Sequence, residues 1–374
     1  MLDKNLKVLI EYSKTTKLYK ELYKNLGDEY QLTDVPFLEP AYLREIGPEY
    51  FLNTDEALCV YFTSGTTSKP KAFYHSPKDI TYAKDYIKWI QEIEGIAGGE
   101  KMAIFMDQSF WGIGYFTIVG SVHAGNAVIP IDSGLSKEVV ADLIRISKPT
   151  VLSSLPSLLE EYKEVLRCPT IRVIETTGEP LVPEMRKELQ EYFNADIYDA
   201  YGLTEGIIGV ECSQHDGYHF DPQRNLLETL DLDTDEGLQD EQWGELILTV
   251  LNQSPLPIIR YRSGDVCKIS HGKCPCGRNF PRVWVKGRKE QTILLYEGSY
   301  VPVKDLEKII FDTCGKSVPY EFNIIRNPNF VILEIILDDC KQKDQIVSRI
   351  QNLNYETLYL SKRNKLRIVV KKPE

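Results

Sequence analysis

Two amphipathic stretches, Pro156–Leu166 and Pro183–Phe193, each open on proline and alternate with three short apolar runs at residues 151–155, 172–176 and 197–200. Proline at the first helical position gives up only an N–H that would have no intrahelical partner, so both stretches read as helices with defined starts. Strand, helix, strand, helix, strand leaves little choice of architecture. Strands joined by helical crossovers run parallel, which implies an α/β domain with much parallel sheet. The alternation is expected to begin at residues 57–62, after a mostly helical and polar stretch over 1–50. Residues 244–251 and 257–269 read as a later strand pair. After Gly287-Arg288 the texture changes to a hairpin, a helix over 304–312, strands over 320–325 and 330–337, a helix over 342–353 and a last strand over 366–370. A large α/β N-terminal domain (1–286) with mixed and parallel sheets, followed by a small α+β C-terminal domain (287–374), accounts for the 374 residues.

Composition narrows the function classes. Hydrophobic content of 43% and charged content of 26% are those of a soluble globular protein. A net charge of −11 argues against a nucleic-acid partner. The N-terminus lacks the basic-then-apolar order of a signal peptide, and no apolar run approaches the roughly 18 residues of a membrane span, so a cytoplasmic location is expected. Eight cysteines are scattered along the chain, which suggests reduced thiols or metal ligands rather than a disulfide frame.

Chemistry-bearing residues concentrate in four segments. "YFTSGTTSKPK" (61–71) follows a strand and offers hydroxyls, backbone N–H groups and lysines that could surround a polyphosphate, although it is not a Walker loop. "YDAYGLTEG" (198–206) places Tyr201, Thr204 and Glu205 after a short strand. An aromatic ring, a hydroxyl and a carboxylate suit a base, a phosphate and a magnesium ion. "YRSGD" (261–265) puts Asp265 on an expected tight turn, and "GRKEQ" (287–291) marks the domain boundary. Taken singly, each reads equally as a solvated turn, a core tyrosine or a surface salt bridge. Their number and order argue otherwise.

The ordered set resembles the adenylate-forming superfamily of acyl- and aryl-CoA synthetases, peptide-synthetase adenylation domains and luciferase. "TSGTTSKPK" is similar to its phosphate loop, with Ser68 where glycine is commoner, and "TTGEPL" (176–181) to the segment flanking adenine. Residues 111–130 and "CPCGR" (274–278) resemble the phenylacetate-CoA ligase branch in particular. The resemblance implies an acid–thiol ligase. A carboxylate oxygen attacks the α-phosphorus of ATP and expels pyrophosphate, and the acyl group of the acyl-AMP then passes to a thiol. It also implies roles for residues. Thr63, Ser64, Gly65, Thr66, Thr67 and Lys71 would grip the β- and γ-phosphates. Thr204 would contact the α-phosphate, and Glu205 would hold Mg2+. Tyr201 would stack on adenine beside Gly178, Glu179 and Pro180, Asp265 would bind the ribose hydroxyls, and Arg288 would belong to the nucleotide site. Glu290 would be the hinge about which the small domain rotates between half-reactions. A lysine of the small domain would bridge carboxylate and α-phosphate. Here the usual Gly-Lys pair is replaced by "SKRNK", leaving Lys365 first and Lys362 second by spacing.

Set against the resemblance, the chain is expected to be a shortened form that lacks much of the usual N-terminal region. The acid pocket is expected between Phe110, Trp111, Tyr115, the residues around Gly178, and Gly206 with Ile207. Aromatic and glycine residues there suit a small aryl acid such as a hydroxybenzoate of the kind activated in siderophore pathways, while a plain core reading stays open. The acceptor is coenzyme A or the phosphopantetheine arm of a carrier protein. Cys274 and Cys276, with Cys212 and His219 (or His215), offer a four-ligand set for structural zinc, against a reading as ordinary thiols. Two other classes remain open: an ATPase or phosphotransferase, and a catalytically impaired nucleotide-binding module.

Overall fold

The computed structural model describes residues 4–45, 47–50, 57–62, 71–108, 112–295, 300–314, 320–337, 342–353 and 355–372. The chain forms two compact units. The first comprises Met1–Glu228, Ile247–Ser263 and Ile269–Trp284; the second comprises Thr229–Leu246, Gly264–Lys268 and Val285–Glu374.

The first unit opens with α1 (Lys4–Ser13), α2 (Lys17–Leu22) and α3 (Pro40–Glu45). The 57–62 run forms β1 (Cys59–Phe62), but its partner is β2 (Ala72–His75), antiparallel to it, rather than a strand reached through a helix. The crossover pattern starts one element later. It runs α4 (Pro77–Glu94), β3 (Lys101–Phe105), α5 (Ile113–His123), β4 (Ala127–Ile131), α6 (Lys137–Ser147), β5 (Val151–Ser154), α7 (Pro156–Leu166), β6 (Val173–Thr177), α8 (Pro183–Phe193) and β7 (Asp196–Leu203). Both proline-opened helices have the bounds read from sequence.

Strands β4, β3, β5, β6 and β7 lie side by side in that order, all parallel. The sheet then turns antiparallel through β8 (Gly206–Glu211), β9 (Tyr218–His219) and the first residues of β13 (Arg282–Arg288). Strands β10 (Asn225–Leu230), β11 (Gly244–Val250), β12 (Tyr261–Ser270) and β13 each carry residues of both units. Alternate strand residues serve two cores. Ala103, Phe105, Leu152, Ile174 and Ile197 pack with Val140 and Ile144 of α6, Leu159 and Leu166 of α7, and Leu189 and Phe193 of α8. Met102, Ile104, Val151 and Val173 form a second cluster with Ile113 and Ile118 of α5. Burial on both faces explains why these strands read as near-continuous apolar runs. Each large side chain so buried contributes roughly 1.5–3 kcal/mol.

In the second unit β14 (Thr292–Leu294) pairs with β15 (Tyr300–Pro302), followed by α9 (Val303–Cys314). Strand β16 (Tyr320–Asn327) pairs antiparallel with β17 (Phe330–Leu337), which pairs parallel with β18 (Leu366–Lys371). Val331, Leu333, Ile335 and Leu337 all face inward, against Leu306 and Ile310 of α9 and Ile346 and Ile350 of α10 (Lys343–Gln351). A further helix, α11 (Tyr355–Lys362), was not expected. At eight residues it is shorter than the window of about 11–18 over which helical periodicity can be read, so no amphipathic signal marks it.

Candidate active site

The 198–206 segment continues as strand beyond its expected end at Ala200. Strand β7 runs through Tyr201, Gly202 and Leu203, with a register shift between Tyr201 and Gly202. Leu203 lies opposite Gly206, so Thr204 and Glu205 form a two-residue hairpin turn into β8. The Glu205 carboxylate pairs with the Lys71 ammonium and accepts a hydrogen bond from the Tyr261 hydroxyl at 2.6 Å. Lys71, which leads into β2, also donates to that hydroxyl at 2.9 Å. Only 12% of the Lys71 side chain and 5% of that of Glu205 are exposed. Charges this far from water interact more strongly than a surface pair. Residues 134 and 190 positions from Lys71 thus meet at one point. Tyr261 was not singled out from sequence, although it is the first letter of "YRSGD".

Parallel β4, β3, β5, β6 and β7 end at one edge of the sheet, and the order reverses between β3 and β5. Such a switch point leaves a crevice beyond the carboxyl ends. Gly178, just past β6, has φ +80; a side chain there would be strained and would approach Ile113 and Leu155. Glu179 accepts hydrogen bonds from the Ser157 N–H at 3.0 Å and hydroxyl at 2.9 Å, so its carboxylate caps the start of α7. The Tyr201 ring stands 5.6 Å from that of Tyr218. Tyr218 and Thr176 both donate to the buried Asp199 carboxylate at 2.6 Å. Burial pushes Asp199 up to about 7, against those two donors.

Tyr115, in the first turn of α5, lies 5.8 Å from Tyr61 and 5.6 Å from Phe116, ring to ring. Gly112 before it has φ +68, and a Cβ there would lie 2.8 Å from the Tyr61 ring. His75 packs 4.9 Å from Phe116, and burial lowers it to about 4, so it is a neutral aromatic here. Tyr61, His75 and Phe116 join Tyr115 without having been expected. Gly206 and Ile207 open β8, and the Ile207 carbonyl accepts from Asn225 at 2.7 Å. Thr63, Ser64, Gly65, Thr66, Thr67, Phe110 and Trp111 lie outside the described residues.

Within the second unit Asp265 is not on a tight turn. It lies inside β12, where Gly264 takes φ +74 within the strand. A Gly-Asp pair reads as a turn, but glycine in a strand can instead mark a local irregularity. Asp265 is buried and pairs with the Arg288 Nε at 3.1 Å. Glu290 is exposed in a 3-10 turn, Lys289–Gln291. Lys365 sits at the entry to β18, its N–H bonded to Leu360 O and its carbonyl to Val331 N, while Lys362 closes α11.

Cys212, His219, Cys274 and Cys276 come together at the open end of β8, their ligand atoms all within 4.8 Å of one another. His215 instead has Nδ1 3.3 Å from Glu211, beside Arg186. Seven cysteines lie among the described residues, and none forms a disulfide.

Residues 4–246 match the family of AMP-binding enzymes. The chain belongs to that family. It is accordingly an enzyme of the adenylate-forming ligase class. It is 27% identical over 337 residues to a phenylacetate-coenzyme A ligase of Thermus thermophilus, covering 84% of this chain and 72% of the relative. A phenylacetate-coenzyme A ligase of Pseudomonas putida is 26% identical over 331 residues, covering 84% and 74%. In fold, the AMP-binding chain resembles an open conformation of a 2-hydroxyisobutyryl-CoA ligase, with a TM-score of 0.78 and 18% identity, covering 99% of this chain and 87% of that one. Large α/β domain and small α+β domain are therefore those of adenylate-forming ligases. Among the described residues no helix is long and apolar enough to cross a membrane.

Proposed function

We propose that the enzyme joins a small aryl carboxylic acid to coenzyme A through an aryl-adenylate. The observation that carries this reading is the meeting of Lys71, Glu205 and Tyr261 at the hairpin turn. ATP brings negative charge that increases as the carboxylate oxygen attacks the α-phosphorus and the bond to pyrophosphate breaks. A preformed cation and a nearby hydroxyl can meet that charge without reorganising. Lys71 would exchange Glu205 for phosphate oxygens, since a lysine pairs as a point charge rather than a fork. Glu205, a hard oxygen donor, fits the one or two carboxylates with which proteins hold Mg2+ beside a nucleotide; the ion would screen the phosphates. Thr204, one residue away, lies within reach of the same phosphate. Tyr201 and the backbone of Gly178, Glu179 and Pro180 border the adenine site, and Asp265, with Arg288, holds the ribose.

The aryl preference is supported by Tyr61, Tyr115 and Phe116 beside the switch point, and by relatives whose names specify phenylacetate. In the second half-reaction the thiol sulfur attacks the acyl carbonyl and AMP leaves. Lys365 serves adenylation, and Glu290 serves as hinge for the second step.

Pyrophosphate release across a panel of acids tests the reading. Release should require one acid class, arylacetates or benzoates, and should be accompanied by AMP. ADP in place of AMP would overturn it. Coenzyme A and a phosphopantetheinylated carrier supplied separately distinguish the acceptor. Lys365→Ala should lose pyrophosphate exchange yet still pass a supplied acyl-adenylate to the thiol, whereas Glu290→Pro should lose the transfer alone. Both variants failing at the same step would remove these two assignments.

A further inference from the structure

The four Cys and His residues are not among those assigned above to the nucleotide or the acid, and their geometry fits another ligand. The Cys212 and Cys274 sulfurs are 3.7 Å apart, and the Cys276 sulfur is 3.4 Å from His219 Nε2. A tetrahedral zinc with Zn–S of about 2.3 Å and Zn–N of about 2.0–2.1 Å separates two sulfurs by about 3.8 Å and a sulfur from a nitrogen by about 3.6 Å. The observed edges have nearly those lengths. They are far longer than the roughly 2.0 Å of a disulfide. The histidine is also oriented as a ligand. Its Nδ1 lies 3.1 Å from the Phe280 carbonyl, so Nδ1 carries the proton and donates, and the Nε2 lone pair is turned toward the thiols. The Arg278 backbone N–H points at the Cys276 sulfur at 3.4 Å, as outer hydrogen bonds to a metal thiolate do. Gly277, with φ +81, makes the turn that brings Cys274 and Cys276 to one side.

We propose that Cys212, His219, Cys274 and Cys276 bind one Zn2+ as a closed structural site. Three thiolates and an imidazole fill the tetrahedron and leave no position for water, so the metal has no open coordination for catalysis. Distance argues the same way. Cys212 follows Gly206 by six residues along β8, roughly 20 Å of strand from the Glu205 turn. The ion instead fastens the end of β8, β9 and the 271–281 loop. Cys212, Cys274 and Cys276 pack against Tyr86, Ile90 and Ile93 of α4, so the metal anchors that helix to the sheet as well.

The test is elemental analysis of the 374-residue enzyme, purified without affinity-tag metals, together with cobalt substitution. The expected result is about one zinc per chain, and a Co2+-exchanged protein with the intense visible bands of tetrahedral cobalt and a thiolate-to-cobalt charge-transfer band. Cys276→Ser should bring the zinc content close to zero and lower the unfolding temperature, and a strong chelator should do the same to the parent protein. His75→Ala, outside the cluster, should keep its zinc. If Cys276→Ser fails to fold, the cobalt spectrum of the parent protein decides alone. Absence of metal, iron in its place, or a Cys212–Cys274 disulfide found by mass spectrometry would each overturn the assignment.

Discussion

Hairpin β7–β8 carries a carboxylate–cation pair at each end: Glu205 with Lys71 at the turn, and Glu211 with Arg186 at the open end. The two are built differently. Arg186 grips both oxygens of Glu211 with one nitrogen, at 2.8 and 2.7 Å, and uses the other to donate to the Ile197 carbonyl at 2.7 Å. Glu211 also accepts the Asp199 N–H at 3.2 Å. Backbone therefore holds both partners. Glu205 is held by the Lys71 and Tyr261 side chains. A forked guanidinium woven into the backbone suits a permanent joint, and a lysine point charge suits a pair that separates when phosphate arrives. Under the proposed function, the contrast separates scaffold from working part along some six residues of strand.

Arg186→Leu should produce the largest effect. It strands a buried carboxylate, and breaking such a pair costs about 3–5 kcal/mol, read as a lower urea midpoint at constant slope. Arg186→Leu combined with Glu211→Leu should recover much of that loss, because no buried charge is left alone. A single variant within about 1 kcal/mol of the parent would show that the open end is no joint.

Glu205→Gln comes next and should differ in kind. Glutamine keeps a carbonyl to accept from Lys71 and Tyr261, so stability should fall less than in Arg186→Leu. Acid-dependent pyrophosphate release should drop about 10²–10³-fold, the usual cost of one preorganised charged group. A stability loss as large as that of Arg186→Leu with an unchanged rate would reverse the two roles.

Asp199 sharpens the comparison by pH. Its carboxyl is raised to about 7, chiefly by burial, with Glu211 reinforcing the rise and Thr176, Tyr218 and Arg186 opposing it. The folded protein therefore binds a proton that the unfolded chain releases near pH 4. The stability so gained is complete below pH 4 and is lost as pH rises toward 7. Relative to Asp199→Asn, the parent should lose on the order of 2–4 kcal/mol across that window. Parallel pH profiles for the two proteins would mean that Asp199 is ionised throughout.

What could be read from sequence follows from how far each signal extends. Pro156 and Pro183 fix helix starts locally, so the α/β alternation and both helix bounds were legible. The four Cys and His residues could be grouped because cysteines in "CPCG" and "ECSQHDGYH" are conspicuous wherever they occur. The hydrogen bond between Thr176 and Asp199 was not legible, because the two are brought opposite each other by the register of β6 and β7. Asp265 misled for the opposite reason. Gly264 supplied a strong local turn signal, and the pairing of β12 overrode it. Tyr261 combines both problems. Nothing near it in the chain announces that its hydroxyl meets residues 190 and 56 positions away.

The smallest expected effect is that of Tyr261→Phe, and it tests whether the turn is a side-chain device at all. The substitution removes one hydroxyl and leaves the ring. That hydroxyl donates to Glu205 and accepts from Lys71, which orients the pair but carries no charge of its own. Losing a hydrogen bond to a charged group costs about 1.5–3 kcal/mol where nothing replaces it. Here Lys71 still neutralises Glu205, so the loss should fall at or below the low end of that range. The rate of pyrophosphate release should decline about tenfold, with the apparent affinity for ATP changing in the same direction. If Tyr261→Phe is as slow as Glu205→Gln, the hydroxyl acts on the reacting phosphate itself. If it is indistinguishable from the parent, Lys71 and Glu205 need no third partner, and the turn differs from the open end only in its choice of cation.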